Sequence, residues 1–323
     1  MSLRQCFAAI VAVVVPGLAA AQSFPSQPIK LVVPFAPGGG VDIVGRTLAE
    51  NVQKQNAGVT VIVENRTGAG GNVGSGSVAK STPDGHTLLV VSNSNSYNNF
   101  LYANMPYDAA KDLQSVVQVG IVPMALLVAP NIPPKTLPEV IAYAKANPGK
   151  LNYGSGGAGT AEHLVFELFK RRVGIEVQHI AYRGGAQVFT DLIGGQIQFF
   201  TTNALAATQY VKANQLKAAG VTGPSRTSGL PEIPTFEEQG VKNFNASVWW
   251  GVMGPTGMPG PVVARLNQMF NAAIASAEMK ARFESLGARP VGGTAEAFAA
   301  FFASERATWQ QVIKDANIKV DGQ

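Results

Sequence analysis

The 323-residue chain predicts an α/β fold of two lobes joined by two crossing strands. Short β-rich runs, glycine-rich loops and helical periodicity follow one another along the chain, which calls for layered strands and helices. Two long apolar β-type stretches, Val116 to Ala129 and Phe244 to Val252, read as crossings between halves rather than parts of either. With 46% hydrophobic and only 14% charged residues, there is apolar material for a sizeable core. Two crossings make one lobe discontinuous: roughly 22–122 plus 245–323, with 123–244 as the other.

Taken in order, Ile29 to Val33 reads as a strand, Phe35 to Gly40 as a loop, and Val41 to Gln55 as a helix with Ile43, Val44, Leu48 and Val52 on one face. Val59 to Val63 and Thr87 to Val91 read as strands, the second entered through the turn-forming Pro83-Asp84-Gly85. Leu137, Val140, Ile141 and Ala144 mark a helix that Asn147-Pro148-Gly149 ends. A strand at Leu151 to Tyr153, a helix from Thr160 to Arg172, a strand at Ile175 to Ala181 and another near Ile197 to Phe200 follow. Towards the C-terminus, Val262 to Ala275 carries Leu266, Phe270 and Ile274 at helical spacing, and Phe298, Phe302, Trp309, Val312 and Ile313 do the same in a last helix. Stripes of this kind are expected to face a core.

The first 21 residues have the pattern of a secretory leader. Arg4 is their one charge, Phe7 to Val15 is apolar, Pro16-Gly17 breaks the run, and Ala19-Ala20-Ala21 precedes Gln22. The apolar run is shorter than the ~20 residues needed to span a membrane. The expected location is therefore the bacterial periplasm. Cys6 lies in that leader, so the exported chain would hold no cysteine, which suits an oxidising compartment.

Composition excludes several classes of function. A balance of 25 basic against 20 acidic residues gives a net charge of +5 with no dense Lys/Arg run, so no nucleic-acid partner is expected. One cysteine and three histidines, with no metal-ligand spacing among them, predict no metal site. A loop matching G-x-G-x-x-G occurs at Gly154, Gly156 and Gly159, but Glu176 falls inside the next predicted strand rather than at its carboxyl end, and no nucleotide cofactor is expected. Ser155 lacks the glycine two residues earlier that a nucleophile elbow requires, Tyr153 standing there instead.

Three loops carry the chemistry: Phe35 to Gly40, Gly154 to Gly159, and Tyr182 to Gly185. Each follows a predicted strand, and the first two lead into helices, so free backbone N–H groups and the positive end of a helix dipole would face a concavity suited to an anion. Each is also readable as a plain strand-to-helix turn. His163, on the first turn of its helix, has two readings as well: a donor to a bound carboxylate, or a satisfied structural histidine. Asp42 has two readings, a residue of the pocket or an acid that compensates a helix start with Arg46 as its structural partner, and neither residue is counted in the site.

Six stretches resemble the periplasmic solute-binding proteins of tripartite tricarboxylate transporters, the Bug family. They are PIKLVVPFAPGGGVDIVGR (28–46), VIVENRTGAGGNVGSGSVAKSTPDGHTLL (61–89), LNYGSGGAGTAEHLVFELF (151–169), HIAYRGGAQVFTDLIGGQI (179–197), LPEIPTFEEQG (230–240) and VWWGVMGPTGMP (248–259). The resemblance covers nearly all of the chain beyond the leader, in order. It implies a two-lobed Venus-flytrap fold with two hinge-crossing strands and no enzymatic activity. It also implies a small organic carboxylate held between the lobes and a membrane permease as partner, with the receptor expected to act as a monomer. Carried onto this chain, Phe35, Gly38 and Gly39, with Ser92 and Asn93 beside them, would form the first-lobe grip. Ser155, Gly157, Ala158, Thr160 and His163 would form the second. Arg183 stands where the family often has lysine, and Thr201, Thr202 and Asn203 occupy a stretch where aspartate is common.

Such a pocket, built of amides and hydroxyls with no acid to pair with an amine, disfavours simple amino acids. Two opposed helix ends suit a ligand with an anionic group at each end, and Phe35 with the neutral 201–203 stretch would tolerate an apolar or aromatic middle. Di- and tricarboxylates, or an aromatic carboxylate such as a phthalate isomer, are the expected ligands. An exported sensor serving a signalling receptor, or an exported hydrolase using the glycine loops as an oxyanion hole, are the alternatives.

Overall fold

The computed structural model describes residues 24–35, 37, 40–182, 185–244, 246–285 and 287–319. The proposed leader lies outside them, as do Gly38, Gly39 and Arg183.

The first half begins with β1 (Ile29–Val33), α1 (Gly40–Gln55), β2 (Val61–Asn65), a short 3-10 turn, α2 (Asn72–Ala79), β3 (Thr87–Ser92) and α3 (Asn93–Leu101). The long strand β4 (Leu113–Val128) then leads to α4 (Leu137–Ala146), β5 (Asn152–Ser155), α5 (Ala161–Val173), β6 (Gln178–Ala181), α6 (Gly185–Ile193), β7 (Phe199–Asn203), α7 (Ala204–Lys212) and β8 (Lys217–Val221). The chain returns through β9 (Ser247–Pro255) and ends with α8 (Gly260–Ala275), α9 (Ala277–Ser285), β10 (Arg289–Pro290) and α10 (Ala295–Asp315).

All ten strands form one curled mixed sheet in the order β2-β1-β3-β9-β4-β7-β5-β6, with β8 and β10 also paired to β4. β1 runs parallel to both β2 and β3, and β5 runs parallel to β6 and β7. Parallel strands covered by helices on both faces need continuous apolar runs. Ile29, Leu31, Val32 and Val33 of β1, and Leu88 to Val91 of β3, are accordingly all buried.

β4 is the strand common to both halves. From Leu113 to Pro123 it pairs antiparallel with β9, and from Met124 to Val128 it pairs with β7, while β8 adds to the same segment. The two apolar stretches that the sequence marks as crossings are β4 and the entry to β9. The architecture is an α/β one in which two halves share a curled mixed sheet and are joined by two crossing strands.

Helix boundaries follow local chemistry. α4 starts at Thr136, whose hydroxyl accepts from Glu139 N while the Glu139 carboxylate accepts from Thr136 N, a reciprocal cap. α5 starts at Thr160 in the same way, its hydroxyl accepting from His163 N, and ends on Gly174 in the left-handed region at φ 66°.

Two features depart from the expected layout. Strand pairing in β6 begins only at Gln178; Ile175 and Val177 are buried by packing before the ladder starts. The last helix serves both halves: Phe298 and Phe302 pack with Trp249 and Val91 in a first-half cluster, whereas Trp309, Val312 and Ile313 join the large cluster built on β5, α5 and β7. An Arg171–Asp315 ion pair closes that second contact.

Candidate functional site

The N-termini of α3 and α5, one from each half of the molecule, open on a single cavity of about 290 Å³. Phe35, Val41, Ser92, Asn93, Ser94 and Tyr97 line it from one side, Ala158, Gly159, Thr160 and Ala161 from the other, and Val248 and Trp250 of β9 form part of its wall. Among the described lining residues none is charged. What remains is a set of helix-terminal amides and hydroxyls between aromatic and aliphatic walls. Such a surface holds an anion through aligned N–H dipoles rather than through a cation.

The α3 end is set by the polar sequence at the end of β3. Asn95 Oδ1 accepts from Ser92 N at 3.0 Å, and the Ser92 and Ser94 hydroxyls lie 3.1 Å apart. The Asn93 side chain is already engaged with β9 through Ser247 O and Trp249 N, so this residue faces the cavity with its backbone. Phe35 is positioned through its carbonyl, which accepts from Asn65 Nδ2 at 2.9 Å. The same amide nitrogen donates to Asp42 at 2.8 Å, and Arg46 pairs with Asp42 at 3.0 Å. Asp42 and Arg46 are thus paired with each other, the structural one of the two readings that the sequence offered.

The α5 end is a tight loop with much of its hydrogen bonding satisfied internally. Ser155 Oγ donates to Gly157 O at 2.9 Å and accepts from Gly157 N at 3.2 Å. The Thr160 hydroxyl donates to Gly157 O at 2.8 Å. His163 Nδ1 accepts from Gly159 N at 3.0 Å, which puts the imidazole proton on Nε2. Behind it lies His179, its ring stacked on that of His163 at 3.7 Å. His179 Nε2 is 2.7 Å from Ser155 Oγ. Which of the two donates is set by the His179 tautomer.

Burial, then the neighbouring His179 and Lys170, pull His163 down to about 3. Burial likewise pulls His179 down to about 4, with Glu167 opposing and Lys170 adding to the effect. Both rings are neutral near pH 7. His163 is therefore a buried brace for the loop and brings no positive charge to the cavity. Burial raises the Glu162 carboxyl above the ordinary carboxylate range.

Of the residues singled out from sequence, Phe35, Ser92, Asn93, Ala158 and Thr160 border the cavity. Ser155, Gly157 and His163 shape the loop from behind it. Thr201, Thr202 and Asn203 are not brought to the cavity: the Thr201 hydroxyl donates to Glu162 O at 2.7 Å, Thr202 is buried opposite Ala125 in the sheet, and Asn203 caps α7 by accepting from Ala206 N at 2.8 Å. Gly38, Gly39 and Arg183 lie outside the described residues. Sequence reasoning missed Tyr97, Leu101, Tyr102, Val248 and Trp250 as lining residues. The pair of aromatics in VWWGV was the one signal for Trp250, and it was read only as part of a crossing strand.

Comparison with known proteins agrees with this geometry. The family model described as "Tripartite tricarboxylate transporter family receptor" matches residues 44–318. The protein BugT of Bordetella pertussis is 34% identical over 302 residues, covering 93% of this chain and 92% of BugT. Among solved structures, the periplasmic binding protein BugD superposes with a TM-score of 0.73 at 33% identity, over 92% of this chain and all of that one. R. palustris Rpa4515 with adipate gives 0.76 at 31% identity, again over 92% of this chain and 100% of the other.

Proposed function

The chain belongs to the tripartite tricarboxylate transporter receptor family, and on that premise we propose that it captures a small organic carboxylate between its lobes in the periplasm and delivers it to a membrane permease. The family is one of solute-binding receptors. The lobes we assign are 22–122 plus 245–323 and 123–244, moving as two bodies about β4 and β9. The observation that carries the reading is the cavity itself, on which two helix N-termini from opposite lobes converge with no charged side chain among the described lining residues. An anionic group is complementary to each end. The Phe35, Tyr97, Leu101 and Trp250 walls favour an alkyl or aromatic body between them. A di- or tricarboxylate, or an aromatic carboxylate such as a phthalate isomer, meets both demands, and the adipate in the Rpa4515 structure belongs to the same chemical class.

The Ser155–His179 contact is the feature that favours a hydrolase. Two facts count against it. The serine is fully buried, and its Oγ is tied into the loop by contacts with Gly157 N and Gly157 O.

Calorimetry against adipate, malate, citrate, terephthalate, phthalate and benzoate tests the reading. At least one should bind without being consumed, and X-ray scattering should show a smaller radius of gyration when it does. Turnover of a bound carboxylate, or no binding across the panel, would refute it.

A further inference from the structure

Tyr97 belongs by sequence to α3, in the first half of the molecule, yet its side chain packs into the apolar cluster of the second half. There its ring meets Trp309 edge-on at 6.3 Å. It also borders the cavity, together with the Ala158–Ala161 segment at the N-terminus of α5. The residue is 94% buried, being 6% exposed, and its hydroxyl has no hydrogen-bond partner among the described residues. Among the described side-chain nitrogen and oxygen atoms sealed from solvent, only His86 Nδ1 lacks a hydrogen-bond partner. The Tyr97 hydroxyl therefore keeps some accessible surface, and the residue that carries it borders the cavity.

A phenol hydroxyl that keeps some accessible surface and has no partner among the described residues can give its proton to whatever occupies the cavity beside it. Burial, reinforced by the Glu162 carboxylate, keeps the phenol in its neutral form, so the hydroxyl acts as a donor. The neighbouring free groups of the α5 terminus are also donors, and a shared acceptor for all of them is an anionic oxygen.

We propose that Tyr97 is a specificity-determining residue: from the first lobe it donates a hydrogen bond across the cleft to the carboxylate held at the N-terminus of α5, and so couples ligand recognition to lobe closure. This rests on the carboxylate reading above and adds to it a named side chain. An open form would separate Tyr97 from α5, and the cradle would lose one donor.

The test is Tyr97→Phe, which removes the hydroxyl and keeps the ring. Since the hydroxyl has no partner among the described residues, the thermal midpoint of the unliganded variant should stay within about 2 °C of wild type. Affinity for whichever of adipate, malate, citrate, terephthalate, phthalate or benzoate the wild type binds should fall roughly 10-fold, the size expected for one hydrogen bond to an anion. The scattering change on ligand addition should shrink at equal ligand concentration. Tyr97→Leu, which also removes the ring, should lose affinity and stability together. Equal affinity of wild type and Tyr97→Phe for a bound carboxylate would overturn the role of Tyr97 and leave the receptor reading intact. Failure of the wild type to bind any member of the full panel, citrate and phthalate included, would overturn both.

Discussion

Asn93 and Trp249, 156 positions apart, are joined by a hydrogen bond of 2.9 Å from the Trp249 backbone N–H to Asn93 Oδ1. The other end of the same amide donates to Ser247 O at 2.7 Å. One asparagine at the start of α3 thus pairs with a crossing strand as another strand would. The cavity wall formed by β9 is held against the α3 terminus through this side chain.

Asn93→Ala removes both bonds and leaves a buried N–H and C=O of β9 without partners. It should destabilise the protein by about 2–4 kcal/mol in urea denaturation. A change below about 0.5 kcal/mol would show that the contact contributes only shape.

Glu305 plays a comparable part at the other face of β9. A single oxygen, Oε2, accepts from the indole N–H of Trp249 at 2.8 Å and from that of Trp309 at 3.0 Å. Both indoles are buried, and burial raises the Glu305 carboxyl above its usual range. Glu305→Gln retains an acceptor and should lose about 1 kcal/mol. Glu305→Leu leaves two indole donors unpaired and should lose about 2–4 kcal/mol, with a shift in tryptophan fluorescence. Equal losses for the two variants would refute the shared-acceptor role.

The histidine stack behind the α5 loop predicts an acid-side loss of stability. His163 and His179 titrate near 3 and 4 in the folded protein, against about 6.5 unfolded. Below about pH 6.5 the unfolded chain takes up protons that the folded chain refuses, so stability falls with pH until about pH 3–4. Glu162, raised by burial, works in the opposite sense, its contribution being lost as pH rises. His163→Asn keeps an acceptor near Nδ1 for Gly159 N and removes one titrating group while retaining Glu162. Its denaturation midpoint should vary less than that of wild type between about pH 7 and about pH 4.5. Parallel curves would refute the neutral, buried state of His163.

Asn65 ties the Phe35 loop to α1 by donating to Phe35 O and Asp42 and accepting from Arg46 Nη2 at 2.7 Å. Asn65→Asp places a second carboxylate beside Asp42 and removes two donor contacts. It should destabilise by about 2–3 kcal/mol and Asn65→Ala by about 1–2 kcal/mol, the difference shrinking in high salt. The reverse order would refute the network.

Legibility in the sequence differed sharply from one element to another. The continuous apolar runs of β1 and β3 and the capped, periodic α4, α5 and α8 declared themselves, because their burial and their ends are set by near neighbours. α2 (NVGSGSVA) and α3 (NSNSYNNFL) did not, since serine, asparagine and glycine are poor helix formers. They are helical because their polar side chains satisfy one another at a distance: Asn95 Nδ2 reaches Ser75 Oγ at 2.9 Å and Tyr107 Oη at 3.1 Å, and Asn98 Nδ2 reaches Asn72 Oδ1 at 2.8 Å. Missing α3 meant missing Tyr97, Leu101 and Tyr102 as well.

The order of motifs along the chain was enough to establish the family, the alternation of strand and helix, and the presence of an amide-rich loop in each half. Which side chains meet across the cleft was settled only by tertiary contact. A hydrogen bond depends on where a partner lies in space, so Asn93 could be known to face β9, Thr201 to face α5, and His163 to be a neutral brace only once residues remote in sequence were adjacent. The Tyr97 hydroxyl, without a hydrogen-bond partner among the described residues, belongs to the same class of fact, one that no linear pattern records.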